Sequence, residues 1–352
     1  MKNLLIMFGG QSSEHTVSRN SVASMLPYVD RSKFCVSVVG ITLGGKWFLT
    51  KASPEEIANG SWETRQDNLP AFLSPNRMFP GLQIVEDGAL KTVPVDCIHP
   101  VMHGELCEDG ALQGLFELCG IPYVGPGVCA SACSMDKTVT KLVAASSGVR
   151  QAEYCVVTRD EVDTDIAAAV ARVEMHFNGQ YPMFVKPASA GSSVGVSKAH
   201  DSEELAQAFR TAKTVCNKIL VEETIVGREV EVAVLGNEDA KASVVGEVLA
   251  ANEFYDFDAK YENSASQTVI PADITSEESD NLRKAAISIY KALDCKGLSR
   301  VDFFLLPDGD IVFNEINTLP GFTKISMYPK LWEATGITYQ ELLTVLYSLA
   351  ME

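Results

Sequence analysis

The sequence predicts an α/β domain followed by an α+β region, and three observations support this fold class. The 352-residue chain is 46% hydrophobic and 21% charged, which is typical of an ordinary globular protein with more than one core. Strand-like and helix-like segments alternate along its first third. Two β-rich segments near its end flank Asp308-Gly309, which is a strong hairpin signal. We therefore expect two or three domains.

The first third is expected to form a parallel sheet that binds ligands at the carboxyl ends of its strands. The Gly9-Gly10 turn lacks the Gly-x-Gly-x-x-Gly pattern, so a dinucleotide is not indicated. Asp109 can cap the second predicted helix. The predicted strands are residues 3–8, 33–42 and 95–102, and the predicted helices are residues 17–26 and 111–119.

The remainder is expected to be α+β, beginning after the Gly125-Pro-Gly127 segment. We predict domains at residues 1–125, 126–225 and 226–352. A polar loop is expected from residue 251 to residue 267. The predicted helices are residues 130–145, 203–212, 277–293 and 339–349, and the predicted strands are residues 153–157, 183–186, 194–198, 219–223, 229–235 and 242–249.

Charge and cysteine content exclude several classes of protein. The formal net charge of −17 argues against partners that are nucleic acids or anionic membranes, and no apolar segment approaches membrane-spanning length. Nine cysteines without a Cys-x-x-Cys motif predict free thiols in a reducing cytoplasm, and Cys35, Cys119 and Cys155 lie in apolar segments that favour burial. His99 and His103 lie too far apart on a strand to share a zinc ion.

The hairpin near the end of the chain predicts a magnesium site. If Asp308-Gly309 is a two-residue turn, Asp302 lies opposite Glu315 and Arg300 lies opposite Asn317, all on one face. Carboxylates directly opposite each other destabilise a sheet unless a cation lies between them, and this all-oxygen set suits Mg²⁺. The opposite, apolar face would contain Val301, Phe303, Leu305, Val312 and Ile316.

A second interpretation of this hairpin remains open. The four polar residues could instead form an exposed face on which Asp302 pairs with Arg300 and Glu315 is solvated.

Four other segments have a functional and a purely structural interpretation. Residues 186–195, rich in small residues, could wrap phosphates beside Lys186 or form a flexible hairpin loop. Residues 219–229 could contact adenine and ribose, or form an edge strand and a turn. The aromatic residues 252–261 could be a lid or a loop packed by its own rings. Glu14 could hold a ligand's ammonium group or simply favour a helix N-terminus.

Together these segments resemble the D-alanine–D-alanine ligase family of ATP-grasp enzymes along essentially the whole chain. The resemblance implies an ATP-grasp fold preceded by a parallel-sheet domain. The segments that match are residues 9–14, His103-Gly104, residues 108–110, Gln113-Gly114, residues 134–137, Lys186-Pro187, residues 191–195, 254–261 and 315–323.

The resemblance also implies roles for matching positions. Glu14, hydrogen-bonded to Ser192 and Tyr261, would orient the first D-alanine, while Arg300 and the Gly321 N–H would stabilise an oxyanion. The other implied roles are amino-acid binding by His103, Ser326 and the Met327 N–H; phosphate binding by Lys137, Lys186, Ser193 and Lys260; adenine binding by Glu222, Glu223 and Ile225; ribose binding by Glu229; and binding of two Mg²⁺ or Mn²⁺ ions by Asp302, Glu315 and Asn317.

The resemblance implies ATP-dependent joining of two D-alanines through an acyl phosphate, for peptidoglycan precursors, by an enzyme that in relatives is typically a homodimer. Rival functions are a ligase that takes D-serine or D-lactate second, and a regulatory ATP-binding protein on an inactive scaffold. Relatives that use D-lactate have a histidine in the loop that here contains Tyr261. No histidine lies between Gly246 and Pro271, so we expect D-alanyl-D-alanine, with some tolerance of D-serine.

Overall fold

The computed structural model describes residues 1–191, 194–249 and 267–352, which form three β-sheets in chain order. Helices pack against each sheet, and the predicted site residues lie mainly at strand ends and on the third sheet. The domain limits at residues 125 and 225 remain a prediction.

The first sheet has seven strands in the order β6-β5-β4-β3-β2-β1-β7. Strand β1 lies between β2 and β7 and is parallel to both, and its residues 4–9 are buried, as expected for a parallel strand covered on both faces. The strands are β1 Lys2–Gly9, β2 Phe34–Ile41, β3 Trp47–Thr50, β4 Leu69–Leu73, β5 Leu82–Glu86, β6 Ala89–Val93 and β7 Cys97–Val101, and the helices are α1 His15–Met25, α2 Pro54–Asn59 and α3 Ala111–Cys119.

The expected parallel pairing is confirmed for β1, β2 and β7, whereas strands β3 to β6, which were not predicted, extend the sheet in antiparallel fashion. The turn between β5 and β6 is Asp87-Gly88, and both residues have positive φ, as a tight type I′ hairpin turn requires. At α3 the N-cap position belongs to Gly110 and not to Asp109, although the Asp109 carboxylate still accepts the Ala111 N–H at 3.0 Å.

The second sheet is antiparallel and has the order β10-β9-β11-β8. A single helix over residues 130–145 was expected before it, but Asp136 divides this segment because its side chain accepts the N–H groups of Thr138 and Val139 and so caps a new helix. The elements are α4 Val128–Met135, α5 Lys137–Ala144, β8 Tyr154–Thr158, α6 Arg159–Thr164, α7 Ile166–His176, β9 Met183–Pro187, β10 Ser197–Ala199, α8 Ser202–Val215 and β11 Lys218–Glu223.

The third sheet is antiparallel and has the order β14-β13-β12-β15-β16. Helix α9 buries Leu282, Ile289 and Tyr290 against it, while α10 and α11 share a second core with residues of β1. The elements are β12 Arg228–Leu235, β13 Lys241–Leu249, β14 Gln267–Val269, α9 Ser276–Ala292, β15 Leu298–Leu305, β16 Ile311–Asn317, α10 Met327–Thr335 and α11 Tyr339–Ala350.

The β15–β16 hairpin has the predicted pairs at the site but not at the turn. Asp302 pairs with Glu315 and Arg300 with Asn317, as expected. The loop has three residues, however, because Leu306 pairs with Asp310, and a bulge at Asn314 compensates for the extra residue.

The bulge corrects one assignment of side chains to faces. Val312 lies opposite Phe304, on the face of Asp302, whereas Phe313 lies opposite Phe303 and joins the core. Val312 therefore does not belong to the predicted apolar face.

All nine cysteines lie within the described residues and are free. Cys119 and Cys155 are buried as expected, but Cys35 is exposed because it lies at the beginning of β2, before the buried residues 39–41. In the described parts of the chain, none of the helices has the length and apolar character required to span a membrane.

Candidate active site

The Glu14 carboxylate lies where the loops after β1 and β7 meet residue 191. Ser12 holds these loops together, because its Oγ donates to the His103 carbonyl oxygen at 2.7 Å and accepts the Glu14 N–H at 3.0 Å. Glu14 is the N-cap residue of α1 and is buried. A Cβ at Gly104 or at Gly191 would lie only 2.8 Å from its Oε2, so glycine allows both backbones to approach the carboxylate.

His103 is buried behind Glu14. Burial lowers its pKa, although Glu14 and the hydrogen bond to Leu319 oppose this effect. Its Nδ1 lies 2.9 Å from the Leu319 carbonyl oxygen, so Nδ1 holds the proton of the neutral ring. His103 thus connects the loop after β7 to the segment that follows β16.

Glu108 is a site residue to which the sequence analysis gave no role. Burial raises its pKa to about 8, and the nearby carboxylates of Glu14 and Glu315 add to this effect. Its Oε1 accepts the Gly104 N–H at 3.0 Å. The raised pKa favours the protonated form of this carboxyl, which can donate a hydrogen bond into the cleft. Glu108 belongs to segment 108–110, one of the segments that carry the family resemblance, and this was the sequence signal that could have identified it as a site residue.

Arg300 and Asp302 form a tight pair on β15. Arg300 Nε and Nη2 lie 2.8 and 2.6 Å from the two oxygens of Asp302, and the Asn317 Nδ2 lies 3.2 Å from one of them. Burial alone would lower the pKa of Arg300, but Asp302, Glu231 and Glu315 raise it well above its usual value. The Arg300–Asp302 ion pair, which the second interpretation of the hairpin expected on an exposed face, is therefore present, but it is largely buried and lines a cleft.

Lys137 and Lys186 approach the same cleft from different elements. Lys137 is the first residue of α5, and its Nζ lies 2.9 Å from the Ala190 carbonyl oxygen and 3.7 Å from Glu315 Oε2. Lys186, at the end of β9, lies 3.4 Å from Asn314 Oδ1. Two cations therefore lie beside the loop that begins at residue 188 and beside the third sheet.

Glu222 binds two lysines at once. Its two oxygens lie 2.6 Å from Lys141 Nζ and 2.5 Å from Lys186 Nζ. Burial raises the pKa of Glu222, but the two lysines outweigh this and lower it, whereas Glu222 raises the pKa of Lys186 against the opposite effect of burial. The sequence analysis missed Lys141, which is 2% exposed; its place four residues after Lys137 on one helix face was the signal.

The predicted adenine segment lines the cleft next to Glu222. The Glu223 carboxylate accepts the Glu153 N–H at 2.8 Å, so it is used within the protein. Ile225 and Glu229 line the same cleft. Because the Glu222 and Glu223 side chains bind protein groups, the backbone of this segment is what remains for a base.

Gly321, Ser326 and Met327 surround the N-terminus of α10. Ser326 is its N-cap residue, and its Oγ accepts the Thr323 N–H at 3.0 Å. A Cβ at Gly321 would lie 2.8 Å from that Oγ. The Met327 side chain is buried in the core, so Met327 offers its backbone N–H at the helix N-terminus.

One cleft of about 490 Å³ between the three sheets brings the described site residues together. It is lined by Glu14, His103, Glu108, Lys137, Lys141, Lys186, Glu222, Glu223, Ile225, Glu229, Arg300, Asp302, Glu315, Asn317, Gly321, Ser326 and Met327. A second cavity of about 600 Å³ lies between α3, α4 and α11 and contains none of the predicted site residues. Four predicted site residues lie outside the described residues, as does the expected lid segment 252–261: Ser192, Ser193, Lys260 and Tyr261.

The donor set on the third sheet fits magnesium better than zinc. Asp302, Glu315 and Asn317 offer only oxygen ligands, from two carboxylates and one amide. Within residues 1–191, 194–249 and 267–352, no three His, Cys, Asp or Glu side chains are grouped to hold a metal ion. Any metal at this site therefore depends on the amide or on bound phosphate as well as on the two carboxylates.

Comparison with known proteins gives matches along the chain. Residues 3–126 match the family model described as D-ala D-ala ligase N-terminus, and residues 143–348 match the model described as D-ala D-ala ligase C-terminus. The D-alanine--D-alanine ligase of Acetivibrio thermocellus is 47% identical, over 100% of this chain and 96% of its own length. That of Clostridium acetobutylicum is 45% identical, over 99% and 98%.

Solved structures match equally completely. The VanG D-Ala:D-Ser ligase from Enterococcus faecalis has a TM-score of 0.89 and 36% identity, over 99% of both chains. The D-alanine-D-alanine ligase from Coxiella burnetii has a TM-score of 0.85 and 32% identity, over 100% of this chain and 95% of that one. The expected ATP-grasp fold with its N-terminal parallel-sheet domain is therefore confirmed, and the chain belongs to the D-alanine–D-alanine ligase family of ligases.

Proposed function

We propose that the chain joins two D-alanines to give D-alanyl-D-alanine for peptidoglycan precursors, converting ATP to ADP and phosphate. One observation supports this most strongly. A single cleft brings together an acid for an ammonium group (Glu14), cations for phosphates (Lys137 and Lys186) and a carboxylate edge for metal (Asp302 and Glu315).

Glu14 would bind the ammonium group of the first D-alanine. A buried carboxylate forms strong charge-assisted hydrogen bonds, and its position beside residue 191 would direct the substrate carboxylate towards the phosphates. Neutral His103 would lie beside this substrate. Ser192 and Tyr261 are proposed to complete the contact, by family resemblance.

ATP would lie between the second and third sheets. The backbone near Glu222, Glu223 and Ile225 would frame adenine, and Glu229 would bind the ribose. Lys137 and Lys186 would bind the phosphates, with Ser193 and Lys260 proposed to join them by resemblance. Magnesium held by Asp302, Glu315 and Asn317 would offset the charge of the phosphates.

The reaction would proceed in two displacements. The carboxylate of the first D-alanine attacks the γ-phosphorus, ADP leaves, and an acyl phosphate forms. The amine of the second D-alanine, having lost a proton, attacks the acyl carbon, and phosphate leaves. Arg300 and the Gly321 N–H would stabilise the intervening oxyanion. Ser326 and the Met327 N–H, at the N-terminus of α10, would hold the second carboxylate.

The nearest rival function differs only in the second substrate, because one matching solved structure is a D-Ala:D-Ser ligase. Mass spectrometry of the products from ATP, Mg²⁺ and equal concentrations of D-alanine, D-serine and D-lactate at pH 7 separates the alternatives. We expect D-alanyl-D-alanine to dominate. A mixed D-alanyl-D-serine product or a depsipeptide as the main species would contradict the proposal. A homodimer is proposed from the family resemblance alone.

A further inference from the structure

A row of three carboxylates crosses the third sheet under the cleft, and two of them are the proposed metal ligands. Glu231 on β12 lies directly opposite Asp302 on β15, which lies opposite Glu315 on β16. Like charges at such positions destabilise a sheet. Glu231 is only 5% exposed, so its charge must be compensated inside the protein.

Arg300 provides that compensation for Glu231 and Asp302 together. Its Nε lies 3.0 Å from Glu231 Oε2 and 2.8 Å from Asp302 Oδ1, while its Nη2 lies 2.6 Å from Asp302 Oδ2. The direct cross-strand neighbours of Arg300 are Ala233 and Asn317. The guanidinium therefore reaches diagonally to Glu231 across the sheet, and along its own strand to Asp302.

This arrangement creates a competition for Asp302. Both of its oxygens are bound by Arg300, whereas a metal ion at the proposed site requires at least one of them. Arg300 can release an oxygen of Asp302 and remain in the cleft at low cost when a second anion still holds it. Glu231 is in contact with the guanidinium and is not one of the proposed metal ligands.

We propose that Glu231 is a positioning residue that retains Arg300 in the cleft while Asp302 binds the metal, an inference that rests on the metal site of the proposed function. Glu231 thereby has two effects. It makes metal binding easier, because a carboxylate still contacts Arg300 when Asp302 turns to the metal, and it keeps the guanidinium where the oxyanion would form. Loss of this contact should affect kcat more than the KM for D-alanine.

The first test measures Mn²⁺ binding in the presence of ADP and without any amino acid, from the electron paramagnetic resonance signal of unbound Mn²⁺. Glu231→Gln should weaken Mn²⁺ binding by roughly tenfold, the lower end of what the loss of a close, buried charge pair costs. Glu247→Gln is the matched control. Glu247 is also buried, at 6% exposure, and is bound by Arg228 at 2.7 and 2.6 Å, but it does not line the cleft.

The control should lose stability in thermal unfolding without a change in Mn²⁺ affinity. If Glu231→Gln likewise loses only stability, with wild-type Mn²⁺ affinity and kcat, Glu231 is merely structural and the proposal is wrong. If the wild-type protein does not bind Mn²⁺ at all, the metal site itself fails, and the inference fails with it.

A double-mutant cycle with Arg300→Gln separates positioning from a simple effect of negative charge. Without the guanidinium, Glu231→Gln should change Mn²⁺ affinity by no more than about twofold. Equal weakening in both backgrounds would show that Glu231 acts through its charge alone and would overturn the proposal.

The variant Glu231→Asp decides the question if Arg300→Gln does not fold. It keeps the charge but shortens the side chain by one methylene, so positioning requires weaker Mn²⁺ binding than in the wild type. Unchanged binding in Glu231→Asp would refute the proposal.

Discussion

His99 is a buried histidine whose titration links stability to acid pH. It lies on β7, its Nδ1 is 3.3 Å from the Tyr347 hydroxyl, and its ring contacts Phe322. Burial lowers its pKa from 6.5 to about 3. Below pH 6.5 the unfolded chain therefore binds a proton at His99 that the folded chain does not. The contribution of neutral His99 to the unfolding free energy is complete above pH 6.5 and is lost as the pH falls towards 3.

We predict that His99→Phe removes this part of the pH dependence. Between pH 7 and pH 5 the wild type should lose about 2 kcal/mol more unfolding free energy than the variant, from the linkage of a single such group. Urea denaturation of both proteins at the two pH values measures the difference. Equal losses in the two proteins would show that His99 is protonated in the folded state.

Removing the charge of either proposed metal-ligand carboxylate, Asp302 or Glu315, should reduce activity. Asp302→Asn and Glu315→Gln should each reduce kcat by roughly a hundredfold or more, because metal ions contribute several kcal/mol to phosphoryl transfer. Asp310→Asn is the control, since Asp310 lies in the same hairpin but is exposed and paired only loosely with Arg150 at 3.3 Å. Wild-type turnover in either site variant at ordinary Mg²⁺ concentration would exclude this metal site.

Sequence reasoning found the residues of local motifs and missed those whose partners are distant. Asp302, Glu315 and Asn317 belong to one hairpin, so their proximity follows from a short turn. Glu231 and Lys141 acquire their partners through strand and helix packing across 69 and 81 residues (Arg300 and Glu222, respectively). The spacing from Lys137 places Lys141 on the same helix face, but no local pattern indicates that Glu222 is its partner or that β12 becomes the neighbour of β15.

The N-cap residue of helix α5, Asp136, directly precedes Lys137, which lines the cleft. Asp136 accepts the N–H groups of Thr138 and Val139 and pairs with Lys218, so it fixes the turn that begins at Lys137. We predict that Asp136→Ala lowers stability by about 1 kcal/mol. It should also raise the KM for ATP several-fold, because Lys137 is no longer held.

Thr338→Ala is the matched control for this change. Thr338 caps α11 in a capping box with Glu341, neither residue lines the cleft, and the loss of this cap should lower stability by a similar amount, about 1 kcal/mol. Thermal unfolding and the KM for ATP are measured for both variants. A rise in KM of the same size in both would show that general destabilisation, not the position of Lys137, is responsible.

The elements show where local signals suffice and where they do not. The Asp302–Glu315 register was predicted from an assumed two-residue turn, and the prediction holds because the longer loop and the bulge at Asn314 compensate for each other. Strands β3 to β6 were missed although Asp87-Gly88 is a strong turn signal, because each strand is only four or five residues long and partly exposed.

On the scale of the whole molecule, the first and third sheets share one core. Phe8 of β1, Leu235 of β12 and Tyr347 of α11 belong to the same buried cluster. This shared core places the loops that contain Glu14 and His103 against the segment that follows β16. The cleft is therefore formed by parts of the chain more than 200 residues apart. In the sequence, only the family resemblance indicates that these parts come together.

In the proposed reaction, this cleft activates a D-alanine carboxylate as an acyl phosphate before the peptide bond forms. This order of steps is tested most directly with D-alanine carrying oxygen-18 in both carboxylate oxygens, together with ATP and Mg²⁺. The phosphate released should contain one oxygen-18 for each D-alanyl-D-alanine formed, because the attacking carboxylate oxygen leaves with the phosphate. Dipeptide formed with unlabelled phosphate, or phosphate released without dipeptide, would contradict the proposed acyl phosphate.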